Sequence, residues 1–359
     1  MADLLSRYPH LDAHVMRAAE RMTRAGLDER TADKIFVGIK SDEEWPGAWE
    51  AAGKDWEQEA LAAVDARHPV TAREFYRQAF FCYRLADFYY TEDTENKTRV
   101  YLATLRTFAE AVRGVALPPE PIEVPYNGVK MPGYIVRAAN RSGRTPAVLH
   151  IYGADGCKEE QYWNTALHFS ARGVACMIVD LPGGGAARRL LKLNARFDYE
   201  VPARAALEVL LSQRDIDPDR IGLSGSSMGG YYAPRVFARE PRFKACVVNS
   251  ALTDVMCLWD FYPPIRPQLI YNIGAASAAE ATTAYQAFNL QELLPKVDRP
   301  LAIHHGGNDR LIPVSEAQKM HELLGGPKEL VVWPGGSHNC GSVIAKARPA
   351  FTDWLVDHI

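Results

Sequence analysis

Apolar residues recur at three-and-four spacing along "WPGAWEAAGKDWEQEALAAVDAR" and "TAREFYRQAFFCYRLADFYY", the pattern of helices that bury one face. The chain reads this way almost throughout up to about residue 117. Thr71 followed by Glu74 has the form of a capping box at the start of the second of these helices. "GVALPPEPIEVP", with its four prolines, breaks the pattern and predicts a junction. Past it the period changes. "PIEVPYNGVKMPGYIV" predicts a hairpin turning at Asn127-Gly128. Short apolar runs follow ("AVLHIYG", "VACMIVD", "RIGLSG", "KACVVNS", "PLAIHHG", "ELVVWPG"), separated mostly by helical stretches such as "VPARAALEVLLSQ" and "VSEAQKMHELLG".

Strands alternating with helices imply an α/β fold, a mainly parallel sheet covered on both faces. Its chemistry belongs in the loops at the C-terminal ends of the strands. The pattern therefore predicts an N-terminal helical domain over 1–117 and an α/β domain over 118–359. Residues 253–298 separate two strands, are rich in Trp, Tyr, Phe and Pro, and are too long for a simple connection. They are expected to form a small lid.

Composition narrows the partners. Apolar content of 47% and charged content of 24% are those of a soluble globular protein. A net charge of −3 leaves no basic stripe to neutralise phosphates, so nucleic acid is not the expected partner. No run of 18 apolar residues exists, so no membrane span is expected. "MADLLSRYPHLDAHVMRAAERM" lacks a basic start followed by an apolar core, so no secretory signal is expected either. The six cysteines are scattered without a CxxC pair, which fits a reducing cytoplasm and argues against a metal site. No organic cofactor is implied.

The candidate chemistry begins at "GLSGSSMGG", residues 222–230, where three serines crowd a strand-to-helix turn. A serine exposed on such a sharp bend needs glycines two positions to either side, because side chains there would clash. Ser227 has Gly225 and Gly229 at those positions. Ser226 would have Ser224 and Met228, and Ser224 lies in the strand itself. The competing reading, a Gly/Ser loop holding phosphate at a helix N-terminus, lacks the Walker Lys-Ser/Thr ending and the G-x-G-x-x-G spacing.

A serine hydroxyl needs a base, and the base an orienting acid. "PLAIHHGGNDRLIP" places Asp309 just beyond one late strand, and "ELVVWPGGSHNCGS" places His338 just beyond the next. Both are expected on the same sheet edge as Ser227. Asp254 and Asp260, in the lid segment, compete for the acid; His304, His305, His321 and His358 are rival histidines better suited to packing or to the chain end. An oxyanion needs two amide donors. One is expected from Met228 and the other from "HIYGADGCKEE", with Ala154 first and Gly153 next, although a plain strand-exit turn would use the same glycine. Trp259, Phe261, Tyr262 and Phe81, with Phe80 and Tyr83, suggest a pocket for a ring, against the plainer reading that they are core.

"YGADGCKEE", "GLSGSSMGG", "GGNDRLIPVS" and "GGSHNC", behind an N-terminal helical region, resemble the FrsA-like α/β-hydrolases, and the similarity runs over most of the chain. The run D-x-x-K-E-E, Asp155 to Glu160, is not shared by α/β-hydrolases at large. The resemblance implies an α/β-hydrolase fold with the nucleophile at Ser227, the acid at Asp309, the base at His338 and the oxyanion loop at Gly153 and Ala154. It also implies hydrolysis of a carbon–carbon bond beside a ketone in an aryl or polyketide-like small molecule, and a homodimer. The same triad would serve as a carboxylesterase or thioesterase on an aromatic ester, and a regulatory binding role is the further alternative. The chain departs from the family in "LPGGGAARRL", with Arg188 and Arg189, and in the lid stretch "MCLWDFYPPIRPQLIY".

Overall fold

The computed structural model describes Tyr8, Leu11 and residues 13–140 and 143–359; most of the segment's first twelve residues, where no secretory signal is read, lie outside the described ones. Two compact units make up the chain, 1–118 and 119–359.

In the first unit, helices α1 (Ala13–Arg24), α2 (Glu29–Gly38), α3 (Trp45–Asp65), α4 (Pro69–Tyr89) and α5 (Glu95–Ala111) follow one another. Their cores are aromatic: Trp45 and Trp49, one helical turn apart, sit 5.5 Å from each other and 5.9 and 5.8 Å from Phe36 of α2. Asp28 caps α2 through the amide of Thr31 at 2.7 Å, and Thr94 caps α5 through that of Lys97 at 3.1 Å. The capping box read at Thr71 and Glu74 does not form. Pro69 takes the first helical position, because its fixed φ and missing N–H suit the first turn, so both residues already lie inside α4.

The second unit is built on one eight-stranded sheet. Its strands are β1 (Glu120–Tyr126), β2 (Val129–Val136), β3 (Thr145–Ile151), β4 (Ala175–Val179), β5 (Ile216–Ser226), β6 (Ala245–Asn249), β7 (Leu301–Gly306) and β8 (Lys328–Trp333). The spatial order is β1-β2-β4-β3-β5-β6-β7-β8. Strand β2 pairs antiparallel with both neighbours and every other pairing is parallel. The hairpin pairs Tyr126 with Val129 across a two-residue turn, and Asn127 and Gly128 take φ of +47° and +80°, as that turn demands. Central strands β4, β6 and β7 are buried along their whole length, whereas edge strand β8 stays largely exposed. This is the α/β-hydrolase fold.

Helices cross between the strands: α6 (Lys158–Gln161), which runs through a π-turn at Tyr162–Ala166 into α7 (Leu167–Ser170), then α8 (Gly185–Arg189), α9 (Glu200–Leu211) and α10 (Gly229–Arg239). Residues 253–298 carry α11 (Val255–Phe261), α12 (Arg266–Ile273) and α13 (Ala278–Tyr285), closed at the base by a bridge between Asp254 and Asn289. Helices α14 (Val314–Leu323) and α15 (Ile344–Asp357) complete the unit.

The approach of α10 to β3 is the tightest constraint. A Cβ on Gly229 would stand 1.9 Å from the carbonyl oxygen of Ile151, which no rotamer relieves. Gly229→Ala is therefore expected to cost about 1–3 kcal/mol of unfolding free energy, read as a lowered urea midpoint with an unchanged slope.

Candidate active site

Strand β5 ends at Ser226 and α10 begins at Gly229, so Ser227 sits on the bend between them, at φ +57° in the left-handed region. That conformation is costly for a side chain and persists where surroundings over-determine it. Here the Ser227 amide donates to the carbonyl of Asn249 at 3.0 Å, and the Ser227 carbonyl accepts from the Gly230 amide at 2.6 Å. A Cβ on Gly225 would come 2.2 Å from the Gly229 carbonyl oxygen, the clash across the bend that the sequence spacing anticipates. Gly229 is required for the other reason given above, its contact with β3, which no local motif states.

Three strand exits converge on the serine. His338 follows β8 and Asp309 follows β7. The His338 ring lies with Nε2 2.9 Å from Ser227 Oγ and Nδ1 2.8 Å from Asp309 Oδ2. A carboxylate only accepts, so Nδ1 carries the proton, and Nε2 is left to accept from the serine hydroxyl. Asp309 is buried and fully engaged: its Oδ1 accepts from the amides of Leu311 (2.8 Å) and Ile312 (3.0 Å), its Oδ2 from Ser250 Oγ (2.9 Å) as well as from His338. Burial by itself pushes this carboxyl up. The charge and hydrogen bond of His338, with the Ile312 amide, outweigh it and hold the group at about 2.

The rivals find other work. Asp254 caps α11 through the Met256 amide and accepts from Asn289 Nδ2, and Asp260 is exposed. His304 accepts from Trp333 Nε1 at 3.1 Å and burial pushes it down to about 4, while His305 Nε2 donates to the Ile312 carbonyl at 3.0 Å. His321 lies on α14, and His358 stacks on Trp354 at the chain end.

The loop after β3 packs directly on the serine. A Cβ on Gly153 would stand 2.9 Å from Ser227 Cβ and 3.2 Å from its Oγ, so glycine alone allows the approach. The Gly156 amide donates to the Gly153 carbonyl at 3.2 Å, and this fixes the peptide plane whose opposite side carries the Ala154 N–H. Asn272 Nδ2, from α12, donates to the Ala154 carbonyl at 2.7 Å, with its own Oδ1 held by Gln268 Nε2 at 2.6 Å. Met228 opens α10 at the serine's other side and is buried. Neither the Ala154 nor the Met228 amide has an acceptor among the described residues.

Beneath that loop lies the D-x-x-K-E-E run. Asp180, at the exit of β4, accepts from Tyr152 Oη (2.6 Å), the Lys158 amide (2.9 Å), the Ala186 amide (2.7 Å) and Lys158 Nζ (3.1 Å), all buried. Burial pushes Asp180 up, but Lys158 and these donors hold it below the ordinary carboxylate value; burial pushes neighbouring Glu159 upward despite its contact with Lys158. The run is thus a polar footing for the loop. Sequence reading found the run but not this role, and it missed Asn272, Ser250 and Asn249, since none stands at a spacing that announces a partner.

The aromatic candidates separate. Trp259 is buried in the hydrophobic core, 6.4 Å from Tyr285, with the Arg266 guanidinium over its ring. Phe261 is half-exposed and Tyr262 partly buried. Phe81 is buried within the helical unit, 5.5 Å from Phe80, with Arg77 over its face. Among the described residues no cluster of three His, Cys, Asp or Glu is placed to hold a metal ion, and no helix is long and apolar enough to cross a membrane.

Comparison with known proteins finds relatives among the α/β-hydrolases. The chain is 29% identical over 318 residues, 87% of its length and 84% of the relative's, to 2,6-dihydropseudooxynicotine hydrolase of Paenarthrobacter nicotinovorans. It is 29% identical over 277 residues to the alpha/beta hydrolase xenA of Xenoacremonium sinensis, covering 73% of this chain and 64% of that one. The crystal structure of 2,6-dihydroxy-pseudo-oxynicotine hydrolase superposes with a TM-score of 0.82 at 27% identity, over 94% of this chain and 95% of that one. Residues 160–359, more than half of the chain and all of the strand exits that carry Ser227, Asp309 and His338, match the model of the prolyl oligopeptidase family. The protein is an α/β-hydrolase and belongs to that family.

Proposed function

We propose that the protein is a serine hydrolase that cleaves a carbon–carbon bond beside a ketone in an aryl or polyketide-like small molecule. The observation that carries the serine chemistry is the unbroken hydrogen-bonded chain Ser227–His338–Asp309. Near full-length similarity to a pseudooxynicotine hydrolase, in sequence and in fold, supports the ketone substrate.

In this reading His338 Nε2 takes the Ser227 proton as Oγ attacks the ketone carbon, and Asp309 stabilises the imidazolium. The amides of Ala154 and Met228 hold the oxyanion. On collapse the carbon–carbon bond breaks and its electron pair leaves with the departing carbon, which takes the proton from His338. The leaving carbanion needs an electron-poor or hydroxylated ring to spread its charge. Water, deprotonated by His338, then attacks the acyl-serine, and a carboxylic acid is released with Ser227 restored. One water is consumed; one bond is cleaved.

An ester would pass through the same steps with an alkoxide leaving in place of the carbanion. The discriminating experiment offers aryl ketones against matched aryl esters and identifies the products by mass. Turnover of ketones to an acid and an arene supports the proposal, and turnover of esters alone overturns its carbon–carbon part. Ser227→Ala is expected to lose turnover by about 10⁴-fold or more and to lose labelling by a fluorophosphonate probe; retained turnover sinks the mechanism. Asn272→Asp keeps the shape but removes the donor to the Ala154 carbonyl. It is expected to lower kcat about tenfold with little change in KM, a fraction of the 10²–10³ lost with a whole oxyanion donor.

A further inference from the structure

At the exit of β6, Asn249 and Ser250 hold Ser227, Asp309 and the loop that carries His338, although neither belongs to the chain Ser227–His338–Asp309. The Asn249 carbonyl accepts from the Ser227 amide at 3.0 Å. Its side chain grips the loop that carries His338: Nδ2 donates to the Asn339 carbonyl at 2.9 Å, and Oδ1 accepts from Cys340 Sγ at 3.2 Å. The Ser250 hydroxyl accepts from the Asn339 amide at 2.9 Å and donates to Asp309 Oδ2 at 2.9 Å, the same oxygen that His338 uses.

Backbone conformation singles Ser250 out. It is fully buried at φ +63°, in a region where glycine would be free and a side chain is costly. The two residues it and Asn249 hold, Asn339 and Cys340, are left-handed as well, at +54° and +55°. Strain kept at a site where glycine would relieve it points to the side chain's use.

We propose that Asn249 and Ser250 are positioning residues, the first fixing where the His338 loop stands relative to Ser227, the second setting how much of the Asp309 carboxylate is left for the imidazole. This rests on the serine-hydrolase reading above. Ser250 and His338 share one carboxylate oxygen, so a donor removed from it leaves more negative charge for the imidazolium. The other titratable groups around Asp309 are His305, whose Nε2 lies 3.7 Å from the same oxygen, and Cys340, with Glu316 facing His305. None of them is substituted in the variants below; of their contacts, Asn249→Ala removes only the acceptor of the Cys340 thiol.

The test follows the rate of fluorophosphonate labelling at Ser227 as a function of pH, which needs no substrate. Ser250→Gly removes the hydroxyl while easing the backbone. It is expected to move the acidic limb of the labelling profile upward by about half a pH unit and to slow labelling several-fold on the plateau. Asn249→Ala, which leaves Asp309 untouched, is expected to slow labelling without moving the limb. A Ser250→Gly profile that overlays the unaltered one overturns the proposal, as does a loss of labelling that only tracks the unfolded fraction measured by circular dichroism. Should the unaltered protein itself resist labelling, the serine-hydrolase reading fails first, and the two failures are told apart.

Discussion

A hydroxyl, an imidazole and a carboxylate meet here only because three parallel strands end on the same edge of one sheet. The hydrogen bond between His338 Nδ1 and Asp309 Oδ2 is the contact on which the site depends. It fixes the ring's tautomer, and so decides that Nε2 faces Ser227 as an acceptor. The carboxylate can serve because four donors satisfy it in a buried place where an unpaired charge would be expensive. The parallel order of β5 to β8 is what brings these groups within reach across more than a hundred residues of chain.

Backbone strain is concentrated at the same edge. Ser227, Ser250, Asn339 and Cys340 all take left-handed conformations, and each is held by hydrogen bonds from a neighbouring strand exit. Such a cluster has to be supported by rigid surroundings. Buried strands β6 and β7 supply that rigidity, as does the close seat of Gly229 against β3. On the other side of the serine, the Lys158–Asp180–Tyr152 network and Asn272 supply it for the loop at Gly153 and Ala154. Of the two groups, the buried network is internal to the sheet's edge, while Asn272 comes from the segment between β6 and β7. The segment between β6 and β7 thus also reaches the loop after β3, through the Ala154 carbonyl.

The parts of the site that are read locally were legible in the chain. Gly225 ahead of Ser227 reveals the bend, because a Cβ there would meet the Gly229 carbonyl across it, while the Gly229 that completes the motif answers to β3. Apolar runs of strand length separated by helical periods reveal the parallel sheet, and the positions of Asp309 and His338 just beyond two of them follow from that. The Asn127-Gly128 hairpin is equally plain. A local pattern can also mislead: Thr71 and Glu74 imitate a capping box, and Pro69 starts the helix ahead of them.

What the linear pattern determined, then, was the fold and the strand exits on which Ser227, Asp309 and His338 stand, since periodicity and turn sterics act between residues a few positions apart. Only the folded chain decided that Asp309 and not Asp254 or Asp260 faces His338, that Gly229 must clear Ile151, that Ser250 and Asn249 hold the edge together, and that Trp259 packs within residues 253–298. These are contacts between strand exits and helices far apart in the chain. A hydrogen bond between them leaves no spacing in the sequence, because its geometry is set by how the sheet twists and stacks its neighbours and not by the residues that flank either partner.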